Sequence, residues 1–85
     1  MQVPLNYYIM TPAEQHEQNF KALGDSVNLI NKLVAMVSLS DEEKGDISRN
    51  VEHLELMLAK EELANVTRDK TSFTDAIAAG KAKLA

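Results

Sequence analysis

The sequence predicts an all-α fold: a long antiparallel helical hairpin plus a short third helix, packed as a three-helix bundle behind an extended N-terminal arm. Three observations carry this prediction. Phe20, Leu23, Val27, Ile30, Val34 and Val37 recur at alternating steps of three and four, the spacing of one helix seam. Two stretches, Thr11-Pro12-Ala13-Glu14 and Ser40-Asp41-Glu42-Glu43, place a hydroxyl three residues before a carboxylate, the form of a capping box at a helix start. Only residues 3–9 alternate with a period of two, and no second segment is present for them to pair with.

Size and composition bound what such a fold can be. With 85 residues the chain divides into an arm over 1–10 and a single domain over 11–85, near the size at which one core is only marginally stabilising. Cysteine is absent, so neither a disulfide nor a thiolate metal site staples the core. Stability must then come from regular helix packing or self-association. A formal charge of -4 and a pI near 5.0 disfavour nucleic acid, whose binding rests on cationic neutralisation of phosphates. The uncharged run up to Ala13 contains two prolines, is too short to cross a bilayer and follows no basic segment. The expected location is therefore the cytoplasm, with no membrane partner.

In the arm, Val3, Leu5, Tyr7 and Ile9 alternate, but Pro4 cannot donate to a sheet ladder. An extended strap of Leu5, Tyr7, Tyr8, Ile9 and Met10, laid on the bundle or on a neighbouring subunit, is expected; the alternative is a frayed terminus. Helix 1 is expected over 12–37, roughly 39 Å long. Its cap, Thr11 with Pro12 and Glu14, is the most specific local signal in the chain. The first turns, Glu14 to Asn19, are nearly all polar and should project beyond the core. Beside the seam runs a second stripe, Leu29, Leu33 and Met36, which widens the apolar arc to roughly 200° and requires contact from two sides. Gly24 lies within this helix at a cost of about 1 kcal/mol relative to alanine, either simply tolerated or permitting close approach of another backbone.

The joint Ser38-Leu39-Ser40 is short enough to make the next helix an antiparallel neighbour. Helix 2 is expected over 41–64, with Ile47, Val51, Leu54 and Leu58 against the seam and a second stripe of Leu56, Ala59 and Leu63 elsewhere on the wheel. Its acidic start, Asp41, Glu42, Glu43 and Asp46, reads as charge complementing the helix dipole rather than a cation site. A polar loop over 65–70 leads to helix 3, expected over 72–84. There Phe73, Ile77 and Leu84 share a side with Gly80, which permits close packing, and Lys81 and Lys83 complement the dipole.

The stretch Asn50-Val51-Glu52-His53-Leu54-Glu55-Leu56-Met57-Leu58-Ala59-Lys60, followed after the loop by Phe73-Thr74-Asp75-Ala76-Ile77-Ala78-Ala79-Gly80-Lys81, resembles the C-terminal half of small helical accessory proteins of tailed bacteriophages. The resemblance covers at most half the chain. It implies a virus-encoded protein acting in the bacterial host cytoplasm or in the particle, and it transfers no functional residues.

Chemistry finds little support. His16 and His53 stand on different helices outside any H-E-x-x-H spacing, and the carboxylates beside His53 point to other helix faces. No glycine-rich phosphate loop, nucleophile elbow or carboxylate pair in an apolar setting is visible, so no cofactor, no metal and no enzymatic activity are expected. Arg68, Lys70, Lys81 and Lys83 form a modest basic patch at most, which leaves weak nucleic-acid binding as a minor alternative. The expected function is a protein-protein interaction module, a homo-oligomer and most simply a dimer, with an interface drawn from Tyr7, Tyr8, Ile9, Leu29, Leu33, Met36, Leu56 and Leu63. The competing expectation is a monomeric phage-encoded inhibitor of a host enzyme, binding a host or virion protein.

Overall fold

The computed structural model describes residues 11–60, 64 and 66–85, and among these it contains three helices: α1 (Pro12–Val34), α2 (Asp41–Ala59) and α3 (Thr71–Leu84). Each helix packs against the other two, as expected for an all-α three-helix bundle. Contacts at the helix ends set the directions. Phe20 and Arg68, early in α1 and just before α3, lie together, and the Lys83 ammonium at the end of α3 donates to the Met36 carbonyl just past α1. Helices α1 and α3 therefore run parallel, with α2 antiparallel to both.

Both capping boxes form as the sequence predicts. The Thr11 hydroxyl accepts from the Glu14 N–H at 3.1 Å while the Glu14 carboxylate accepts from the Thr11 N–H at 3.0 Å. Ser40 and Glu43 repeat the exchange at 3.1 and 2.9 Å. Each box satisfies two donors that a helix start otherwise leaves orphaned. The first turns of α2 keep their acidic residues at the solvent-facing helix start, where Asp46 pairs with Arg49 and its carbonyl accepts from the Asn50 amide at 2.8 Å.

The core is the seam plus its partners. Phe20, Leu23, Val27, Ile30 and Leu33 from α1 meet Ile47, Val51 and Leu54 from α2 and Phe73 and Ala76 from α3. Leu39, Leu58, Val66 and Ile77 cover its edges. Among the described residues no polar side chain is buried, so the interior is held by apolar burial and packing, not by a polar network. Gly80 permits the closest approach: a Cβ built there lies 2.6 Å from Val51 Cγ2 and 3.2 Å from Ile47 Cγ2.

Three sequence expectations need correction, and one open reading is decided. Helix α1 ends at Val34 rather than Val37, closed by Ala35 N–H donating to the Asn31 carbonyl and Met36 N–H to the Leu33 carbonyl. The chain must reverse within five residues and return Leu39 to the core, so the seam is cut short and Val37 stands fully exposed. Helix α2 stops at Ala59 rather than Ala64: Lys60 turns extended (ψ 136°), and Val66 packs against the core. Of the two readings of Gly24, simple tolerance fits: apart from the backbone of its own helix, no atom of the described residues lies within 4 Å of its would-be Cβ. Leu84 projects past the bundle at 38% exposure instead of joining Phe73 and Ile77.

Candidate interaction surfaces

The interface residues expected from the sequence separate into three groups. Leu56 (62% exposed) and Leu29 (37%) are open to solvent. Leu33 is buried in the monomer core and Met36 is half-buried against it, so the outer stripe of α1 is largely consumed by the bundle itself. That is the physical outcome of a two-sided helix: its wide apolar arc is covered by α2 and α3 together. Tyr7, Tyr8, Ile9 and Leu63 lie outside the described residues. Sequence reasoning missed Val37 and Leu84, which add exposed apolar surface at the end of the bundle where α1 and α3 both finish.

Leu56 is the most telling of these. It follows Ile47, Val51 and Leu54 on a helix whose buried stripe it does not share, and at 100° per residue it lies nearly opposite that stripe. No packing requirement of the monomer explains an exposed leucine there. Single exposed leucines are nevertheless common, so its weight comes from the company of Leu29, Val37 and Leu84 in so small a protein.

A second feature is an open groove of about 430 Å³ between α1 and the start of α3, lined by Glu17, Phe20, Lys21, Gly24, Val27, Asn28, Arg68, Ser72 and Phe73. The rings of Phe20 and Phe73 form part of its wall, 5.6 Å apart and tilted by 38°. Over them lies Arg68, its guanidinium 4.5 Å from the Phe20 ring centre and 5.8 Å from that of Phe73. Its Nη1 donates to both Glu17 oxygens at 3.1 Å. Arg68 thus ties the loop before α3 to α1 through a stacked cation and an ion pair.

The neighbouring Asp69 lies just before α3. Lys70, at the N-cap, makes no side-chain capping bond, and Asp69 Oδ1 instead accepts from the Thr71 hydroxyl at 2.6 Å and the Thr71 N–H at 2.9 Å. Those bonds, hydroxyl first and backbone second, hold the Asp69 carboxyl below the usual carboxylate range, and the Arg68 charge acts in the same direction.

The basic residues do not gather. Arg68 is paired with Glu17 and Lys70 donates to the Ala64 carbonyl at one end of α3, while Lys81 pairs with Glu55 at 2.6 Å and Lys83 reaches Met36 at the other. Lys70 and Lys81 are separated by about 16 Å of helix. His16 is half-buried and His53 exposed, and among the described residues no group of three or more His, Cys, Asp or Glu side chains is placed to hold a metal ion. No helix among the described residues is long and apolar enough to cross a membrane. Compared with known proteins, the chain matches no family model, no curated protein and no solved structure.

Proposed function

We propose that the protein acts through protein-protein contact as a small non-catalytic homo-oligomeric module, most simply a dimer. The observation that supports this reading is the exposure of Leu56, backed by Leu29, around a core that already encloses its own apolar seam. A second copy packed on the face of α2 that carries Leu56 would remove that side chain from water, and a two-fold dimer is the simplest closed arrangement of a self-complementary patch. On the resemblance of residues 50–60 and 73–81 to tailed-phage accessory proteins alone, we place its action in the bacterial host cytoplasm.

Multi-angle light scattering over a concentration series up to the high micromolar range tests the assembly. The expected mass is a multiple of one chain that falls on dilution. A mass of one chain throughout removes the homo-oligomer and assigns the exposed leucines to a heterologous partner.

A further inference from the structure

The outer face of α2 carries a second seam that the bundle does not use. Glu42, Gly45, Arg49, Glu52, Leu56 and Ala59 recur at alternating steps of three and four, the spacing with which one helix meets another. At 100° per residue this face lies nearly opposite Ile47, Val51 and Leu54. Five of the six residues are exposed, and Gly45 is half-buried beneath Arg49, whose Nη1 lies 3.2 Å from the position a Cβ at 45 would take. Helices α1 and α3 pack on the opposite side of α2, and among the described residues no other element covers this one.

The order of residues along the seam selects its partner. Turned end for end, the seam is complementary to itself about a point between Arg49 and Glu52: Leu56 comes opposite Gly45, Arg49 opposite Glu52, and Lys60 one residue from Glu42 on the same flank. The one large apolar side chain then meets the one residue without a side chain, and each cation meets an anion. Laid parallel about a two-fold axis, the same seam opposes Arg49 to Arg49 and Glu52 to Glu52, and like charges in direct opposition disfavour that arrangement.

We propose that a second copy of this chain docks here, α2 against α2 and antiparallel about a two-fold axis, with Leu56 seated over the partner's Gly45 and Arg49 paired with the partner's Glu52. This docking rests on the homo-oligomer reading and gives it a geometry. Arg49 must turn to make it. In the single chain its guanidinium pairs with Asp46 one turn back, an exposed ion pair of the class that contributes little to stability. Exchanging Asp46 for the partner's Glu52 keeps the cation paired and uncovers Gly45 for the leucine. One helix pair makes a small interface, so the association is weak and dissociates on dilution.

The chain has no cysteine, so introduced ones read the geometry directly. In the antiparallel docking residue 42 lies beside the partner's residue 60, whereas the two copies of residue 42 are about 26 Å apart and the two copies of residue 60 about 29 Å. Glu42→Cys and Lys60→Cys chains, mixed and oxidised, should give severalfold more disulfide-linked pairs than either variant oxidised alone, and the excess should vanish in urea. Equal linking in the mixture and in the separate variants, or links in excess between like variants, overturns the antiparallel docking while a wild-type mass above one chain leaves self-association standing. A wild-type mass of one chain at every concentration removes the homo-oligomer and this docking with it. Arg49→Glu, which sets two acids against each other at both symmetric positions, should weaken self-association about tenfold or more, and adding Glu52→Arg should restore it, with helicity by circular dichroism unchanged throughout. An Arg49→Glu chain that associates as tightly as wild type, or a double variant no tighter than the single, overturns the proposal.

Discussion

At position 80 the bundle has room for a hydrogen and nothing larger. An alanine there gains about 1 kcal/mol of helix propensity but drives its methyl into Val51 and Ile47, both β-branched and stiff at χ1. Overpacking of a close-packed core costs about 1–3 kcal/mol, and a 2.6 Å approach to a stiff side chain belongs in the upper part of that range, so the clash wins: Gly80→Ala should lower the urea midpoint with the slope unchanged, a net loss of up to about 2 kcal/mol. A rise in the midpoint would mean that α3 lies further from α2 than the structure places it. Asp69 acts through charge rather than volume. Its carboxyl ionises more readily folded than unfolded, so it stabilises the fold above the ordinary value of 3.8, and that contribution disappears as pH falls below 3.8 through the lowered folded value. Asp69→Asn keeps an acceptor for Thr71 while removing the charge. Urea titrations should show the variant less stable than wild type at neutral pH, with the gap closing in the acid range below 3.8; a gap independent of pH would assign the effect to the lost geometry instead.

At the scale of elements, α1 was legible from Thr11 to Val34 because its signals are local: a cap, a proline at the first position, and a seam whose period is the helix's own. Its end was not legible. Val37 continues the period, and only the need to return Leu39 to the core ends the helix before it, a requirement that belongs to the hairpin rather than to the residues. The loop before α3 was opaque for a similar reason. Arg68 read as one basic residue among several, and its seat over Phe20 depends on where a chain segment 48 positions later happens to land. The structure divides its contribution unequally. The ion pair with Glu17 is exposed (side chains 34% and 73%), the class worth about 0–1 kcal/mol, whereas the stacked cation adds about 0.5–1 kcal/mol and covers ring surface. Arg68→Ala should therefore cost about 1 kcal/mol, and Glu17→Gln clearly less. A double-mutant cycle by chemical denaturation checks this; equal losses from the two single variants would show that the ion pair, not the stacking, ties the loop down.

At the scale of the whole molecule, the three-helix bundle followed from patterning, and so did the two-sided contact of α1, because an apolar arc that wide cannot be covered by one neighbour. What patterning cannot divide is a stripe shared between the monomer core and a surface. Leu33 and Leu29 belong to the same stripe, yet one is 6% and the other 37% exposed. Two substitutions separate the roles that the periodic pattern merges. Ile30 is fully enclosed, so Ile30→Asp places a charge where no polar side chain among the described residues is buried to receive it; the loss of several kcal/mol consumes most of a small domain's stability. Far-UV circular dichroism of that variant should show loss of helix and of the cooperative transition. Leu56 is more than half exposed, and Leu56→Glu adds a charge to a surface already in water, so the monomer should keep its helicity and its urea midpoint within about 0.5 kcal/mol. If the exposed leucines form the contact between copies, the same variant should scatter light as a single chain at concentrations where the wild type does not. A Leu56→Glu protein that still assembles would move the contact to the Val37 and Leu84 end of the bundle, and one that unfolds would show that Leu56 is covered within the chain.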